Sequence, residues 1–332
     1  MKILITGGAG FVGQALLGHL LDRGKVELAG DDGRTTLHDI EGIVCLDRGS
    51  GAIVDPRVRY VVGDISRAES LEACFDADTG VVFHLAAVVS GTAEADLDLG
   101  MRVNLDGMRH LLARSARLGH CPHLIFSSSI AVFGVGMPAV VDDQTQPMPL
   151  LSYGAQKLCG EVLLHDHRRR GVVRGCSLRL PAVVVRPGSP NGAATGFSSA
   201  VWREPLAGRA YSLPVPRQTR MWCASPRVVA GNLVHALRLA PRELSPWSAI
   251  NLPGRAVSMQ DAVDALERIA GIGGKVGECL DPTITEMSKT WACEFETPRA
   301  LALGFERDAD ADALLQAYIR DCPADVRVPL RA

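Results

Sequence analysis

The chain has 332 residues, 47% of them apolar and 22% charged, with 35 basic against 37 acidic side chains and a net charge of -2. That is the composition of a folded globular protein, and its balance of charge excludes a nucleic-acid footprint or a polybasic membrane anchor. A chain of about 300 residues buries roughly three quarters of its unfolded surface, so its core needs no covalent staples. The nine cysteines are odd in number and form no CxxC pair, which argues against a disulfide framework or zinc site. A reducing, cytoplasmic setting without a metal is expected.

In chain order, Lys2 to Thr6 reads as a strand and Gly13 to Arg23 as a helix. The polar, acidic stretch from Lys25 to Glu41 reads as an exposed insertion. Strands follow at Ile43–Asp47, Val58–Gly63 and Val81–Leu85, then a helix over 101–118, a strand at His123–Ser127 and a helix over Ser152–Arg169. A sixth strand runs from Val173 to Arg179. Such alternation predicts right-handed βαβ units and an α/β, doubly wound parallel Rossmann sheet covered on both faces.

Beyond Leu180 the texture becomes proline- and glycine-rich, with returns to the sheet at a helix from Pro226 to Leu239 and a strand at Ala249–Leu252. A last helix is expected over Asp310–Arg320. The expected division is a dinucleotide-binding domain of residues 1–182, to which 222–253 return, and a smaller, irregular α/β substrate-binding cap from 183–221 and 254–332. The uncharged runs Ile3–Leu21 and Leu124–Val141 are broken by glycines, serines or proline and read as buried strands entering loops, not membrane spans.

The first strand runs directly into Gly7-Gly8-Ala9-Gly10-Phe11-Val12-Gly13 and then a helix. In such a turn, Gly7 permits the sharp bend, Gly10 lets backbone approach a pyrophosphate and Gly13 allows close helix–strand packing. The N–H groups of Phe11 and Val12, with the helix dipole, supply positive potential. Asp47 ends the second strand, where a carboxylate accepts from both adenosine ribose hydroxyls and repels a 2′-phosphate, favouring NAD over NADP; Arg48 beside it weakens that preference. It lies farther than the usual ~20 residues from the last glycine, a gap the insertion accounts for. Asp64 and Ile65, after the third strand, are placed to meet the adenine edge.

Tyr153 and Lys157 stand four apart at the start of a helix and so share a face. A neighbouring ammonium favours phenolate, so Lys157 is expected to lower the Tyr153 pKa toward that of a working general base. Ser129 ends the fifth strand, at the carboxyl edge where a parallel sheet places its ligands, and its hydroxyl suits a substrate alcohol.

The order of the glycine turn, His84-Leu85-Ala86-Ala87, Ser127-Ser128-Ser129, Tyr153-x-x-x-Lys157 and Arg186-Pro187-Gly188 resembles the extended short-chain dehydrogenase/reductases, the NAD-dependent epimerase/dehydratase family. The resemblance implies Tyr153 as catalytic base, Lys157 on the nicotinamide ribose and Ser129 orienting substrate. It also implies Leu85, Ala86 and Ala87 lining the cofactor, with Asn104 the asparagine near the active site, and a homodimer through the helices at 101–118 and 152–169. His84 reads as a core histidine rather than a catalyst.

Nucleotide-sugar epimerases of this branch follow the sixth strand with Arg-Tyr-Phe-Asn, whereas this chain has Arg179-Leu180-Pro181-Ala182, and Phe133 replaces a common tyrosine. A narrower resemblance is to the D-erythronate dehydrogenases, which oxidise a four-carbon sugar acid at C2. It is carried by Ala86-Ala87-Val88-Val89-Ser90-Gly91, Arg179-Leu180-Pro181, Arg186-Pro187-Gly188-Ser189-Pro190-Asn191 and Thr219 to Pro226. Arg220 is then the expected cation for a substrate carboxylate, while Ser90 and Asn191 are candidates for its hydroxyls. A nucleotide-sugar 4-epimerase or dehydratase retaining NAD, an L-threonine dehydrogenase of this fold and an NAD(H)-sensing interaction module are the alternatives.

Overall fold

A computed structural model describes residues 1–188, 195–244 and 247–331. The strands of its two larger sheets are β1 (Lys2–Thr6), β2 (Gly42–Asp47), β3 (Val58–Val62), β4 (Thr79–His84), β5 (His123–Ser129), β6 (Arg174–Leu180), β7 (Ala182–Val183), β8 (Arg220–Ala224), β9 (Ala249–Asn251) and β10 (Arg255–Ser258). The longer helices are α1 (Phe11–Arg23), α2 (Gly107–Leu118), α3 (Ser152–Arg169), α4 (Phe197–Leu206), α5 (Pro226–His235), α6 (Met259–Ala270) and α7 (Ala311–Asp321).

Seven strands form one parallel sheet in the order β9-β6-β5-β4-β1-β2-β3. From β1 the chain builds outward to β2 and β3, then returns to place β4 on the other side. A crevice opens at the carboxyl edge where that order reverses. The apolar strands are explained by burial on both faces. In β1, Ile3 and Ile5 pack with Leu16, Leu17 and Leu20 of α1 and with Val229 and Leu233 of α5. Leu4 faces the opposite layer with Leu111 and Leu112 of α2 and Leu164 of α3.

A separate core unites Val201 and Leu206 of α4, Leu266 of α6 and Leu314 and Leu315 of α7 with Met221 and Cys223 of β8. There β10, β8 and β7 form a small sheet, antiparallel on one side and parallel on the other. The segment around Ala300 and Phe305 departs from the expected division: it packs into the core beside α1 and α5 rather than into this one.

The insertion also departs from expectation. It folds as an antiparallel hairpin, Lys25–Ala29 against Thr35–Asp39. Its polar outer strand is exposed, whereas Val26, Leu28 and Ile40 enter the main core. Alternation of faces along a strand lets a polar segment contribute apolar side chains this way. The helix expected from residue 101 begins as a wide π turn, Met101–Asp106, before α2. All nine cysteines are free thiols, and among the described residues no helix is long and apolar enough to cross a membrane.

Leu16 is wholly buried between α1 and α5, whereas Leu37 on the hairpin is 60% exposed. Leu16→Ala is therefore expected to cost about 2–5 kcal/mol in denaturant unfolding, and Leu37→Ala at most about 0.5 kcal/mol.

Candidate active site

The turn after β1 is built for close approach. Gly7 has φ +77°, and a Cβ there would lie 2.7 Å from the Ala86 nitrogen. A Cβ on Gly8 would meet the Cys45 side chain at 2.6 Å, and one on Gly13 would fall on the Gly7 carbonyl oxygen. The loop thus lies flush between the ends of β2 and β4, with α1 tight behind it. Gly10 caps α1 without a side chain, leaving the first-turn N–H groups of Phe11 and Val12 uncapped as anion donors.

Asp47 stands against this loop. Its Oδ2 accepts from the Ala9 N–H at 3.0 Å and its Oδ1 from the Arg48 N–H at 2.7 Å. Each carboxylate oxygen keeps a lone pair for a further donor. Gln14 braces the same loop and was not singled out from sequence: its Nε2 donates to the Gly8 carbonyl at 2.7 Å, and its Oε1 accepts from Ala52 N–H at 2.9 Å. Its only signal is its place immediately after the last glycine.

Leu85 and Ala86 form the loop's opposite wall, with Leu85 N–H donating to the Thr6 carbonyl at 3.0 Å; Ala87 follows, half-buried. Asp64 turns its Oδ1 back to the Ser66 N–H at 2.9 Å, and Ile65 is buried beside Gly107. The Ile65 side chain therefore belongs to the core, so any part it takes at the adenine edge falls to its backbone. His84 is wholly buried; its Nδ1 pairs with Thr6 Oγ1 at 2.7 Å and its ring stacks on Phe126. Burial pushes its pKa down to about 3, so it is a neutral core side chain.

Asn104 is buried and spends its amide on the protein. Its Oδ1 accepts from Val88 N–H at 2.9 Å, and its Nδ2 donates to the Val88 carbonyl and, at 2.7 Å, to Gln156 Oε1. The π turn carries it there, and the amide pins the loop after β4 to α3. Ser90 opens the short helix Ser90–Ala95, whose Glu94 accepts from the Ser152 N–H at the start of α3.

The last three residues of β5 meet α3. Ser127 Oγ donates to the His84 carbonyl at 3.0 Å, and Ser128 Oγ donates to Glu161. Ser129 Oγ accepts from Ala131 N–H at 3.1 Å, which leaves its O–H for the Tyr153 phenol oxygen. Lys157 Nζ donates to the Ser127 carbonyl at 2.7 Å and lies 5.6 Å from the centroid of the Tyr153 ring. Ser129, Tyr153 and Lys157 are thus brought together as their motifs imply. An ammonium has three N–H groups, so Lys157 retains donors beyond the one spent on Ser127.

The electrostatics differ from expectation. Burial pushes the Tyr153 phenol up to about 12, against the opposing hydrogen bond from Ser129. Burial also pulls the Lys157 ammonium down to about 7, against the charge of Glu161. The protein alone therefore does not lower the Tyr153 pKa, because desolvation of the phenol outweighs the Ser129 hydrogen bond. Glu161 too went unremarked in the sequence; its signal is its place four residues after Lys157.

Arg220 begins β8 half exposed, and its Nη1 donates to Glu294 Oε2 at 2.5 Å. Its expected ligand position is thus already held by a protein carboxylate. Asn191 lies outside the described residues.

The glycine cradle, the uncapped start of α1, Asp47 and the spare donors of Lys157 fit NAD. NAD, when bound, supplies the hydride acceptor and a positive charge at the nicotinamide. Fold and site together define an NAD-dependent oxidoreductase of the Rossmann class. The profile of the NAD dependent epimerase/dehydratase family matches residues 3–239, and the chain belongs to that family. It is 46% identical over 326 residues to the D-erythronate dehydrogenase of Cupriavidus necator, covering 97% of this chain and 98% of that one. It is 36% identical over 321 residues to the D-erythronate dehydrogenase of Haemophilus influenzae, covering 96% and 99%. A solved structure described as the nucleoside-diphosphate-sugar epimerase from Agrobacterium tumefaciens superposes with a TM-score of 0.87 at 36% identity, covering 98% of this chain and 95% of that one.

Ultraviolet difference titration of the NAD-free protein against Tyr153→Phe is expected to show no Tyr153 phenolate below about pH 10, the ordinary tyrosine value. A Tyr153-dependent signal near neutrality would mean that burial does not govern the phenol.

Proposed function

We propose that the chain oxidises a small sugar acid at C2, with D-erythronate going to 2-dehydro-D-erythronate. The observation that carries this reading is the joint presence of the Ser129–Tyr153–Lys157 set and 46% identity to a D-erythronate dehydrogenase over nearly the whole chain. In it, Ser129 orients the C2 hydroxyl beside the Tyr153 oxygen. Tyr153 accepts the hydroxyl proton as the C2 hydrogen leaves with its electron pair for the hydride acceptor, and the C2–O bond becomes a carbonyl. Lys157, as a cation, stabilises the phenolate that must form first. Ser90 and Asn191 are proposed to meet substrate hydroxyls. A cytoplasmic homodimer through α2 and α3 belongs to the same reading, and exposed Met101 and Val162 beside and on those helices support it.

Purified protein with NAD and D-erythronate is expected to form NADH, read at 340 nm, and Tyr153→Phe to abolish turnover while retaining NAD binding. The panel includes D-threonate, L-threonate, L-threonine and UDP-glucose. NADH from none of the acids, with UDP-glucose converted to UDP-galactose, would replace this reading with cofactor-retaining epimerisation, the activity in the name of the Agrobacterium tumefaciens structure.

For Arg220 to bind the substrate carboxylate it must exchange one carboxylate for another, since Glu294 holds it. Glu294→Gln is then expected to lower the KM for the acid severalfold and Arg220→Lys to raise it, because lysine lacks the planar bidentate fork. An unchanged KM in both variants would remove Arg220 from the substrate site.

A further inference from the structure

Behind Lys157 lies a buried assembly that the reaction as written does not use. Glu161 stands one turn farther along α3 and is wholly buried. A carboxylate out of water stays ionised only where charge and hydrogen bonds replace its hydration. Arg179 of β6 supplies both, donating from Nε to Oε1 at 2.9 Å and from Nη2 to Oε2 at 2.8 Å, and Ser128 Oγ adds a third bond. Arg179 also donates to Asn251 Oδ1 of β9 at 3.2 Å and lies 5.1 Å from the centroid of the Phe133 ring. The end of β5 is thereby held residue by residue. Lys157 takes the Ser127 carbonyl, Glu161 takes the Ser128 hydroxyl, and the next residue is Ser129.

Few charges face Lys157. Its own helix contributes Tyr153 and Glu161. From β4 comes His84, which is neutral; from β5 come the Ser127 carbonyl and the Phe126 ring, 4.8 Å away at its centroid; and from β6, through Glu161, comes Arg179. Among the described residues Glu161 is the anion of this group and Arg179 the second cation. Their effects on the ammonium are opposite in sign.

The geometry points to Glu161 as a positioning residue that keeps Lys157 cationic and the Ser127–Ser129 strand end in place, with Arg179 as the counter-charge that limits its influence. Its consequence for turnover rests on the dehydrogenase reading above; the protonation of Lys157 does not.

The chain has five lysines, so the Lys157 Cε signal can be followed in 13C-lysine NMR of the NAD-free protein and assigned with Lys157→Met. Glu161→Gln is expected to lower the Lys157 titration midpoint by about one pH unit or more. The double variant Glu161→Gln/Arg179→Met leaves no buried charge unpaired, which guards against a misfolded single variant, and its midpoint is expected between those of Glu161→Gln and the parent. With substrate, the alkaline limb of kcat/KM should move in the same directions, whereas a purely structural pair would lower kcat/KM evenly at every pH. A Lys157 midpoint unchanged in Glu161→Gln or in the double variant would overturn the proposal. The expected midpoints without turnover of any acid would uphold it and reject the dehydrogenase reading instead.

Discussion

An ammonium buried at the carboxyl edge of the sheet is the constraint around which the candidate site is arranged. Lys157 is almost fully enclosed, and taking a charged amine out of water costs several kcal/mol unless neighbouring groups replace its hydration. The Ser127 carbonyl supplies a hydrogen bond and Glu161 a countercharge. Glu161 then needs a partner of its own, which Arg179 provides from β6. Arg179 in turn engages Asn251 on β9. One desolvated charge thus ties α3 to three neighbouring strands, and those ties hold Ser129 and Tyr153 against each other.

The parallel sheet makes this possible. Because β4, β5 and β6 run the same way, His84, Ser127–Ser129 and Arg179–Leu180 all reach the same edge. The covering helix α3 starts at that edge, so residues of its first two turns face the strand ends. The glycine cradle sits on the other side of β4, where β1 runs into Gly7 and β2 ends in Asp47. Nucleotide cradle and reactive groups are therefore two strands apart, and the loop after β4 borders both. Asn104 fixes that loop to α3 through Gln156.

Burial also explains where local reasoning about reactivity falls short. The spacing of Tyr153 and Lys157 puts them on one face, and proximity by itself would lower the phenol pKa. Inside the protein both side chains lose water, and that loss favours neutral phenol and neutral amine. Extra positive charge must then reach the phenol before it can act as a base, and a cationic nicotinamide brings such charge.

The sequence by itself determined what depends on nearest neighbours and period. The glycine spacing after β1, Asp47 ending β2, the serine end of β5 and the Tyr153–Lys157 face are all local patterns, and Ser152–Arg169 appears as a helix with those same bounds. Apolar runs with strand length were enough to imply a sheet buried on both sides. Other features depend on residues far apart in the chain. The partnership of Glu161 with Arg179, the capture of Arg220 by Glu294, the Asn104–Gln156 brace and the apolar side of the hairpin carry no local mark. Hydrogen bonds and desolvation act over a few ångströms in space, not along the chain, so only the tertiary structure decided which charges are paired and which protons are held.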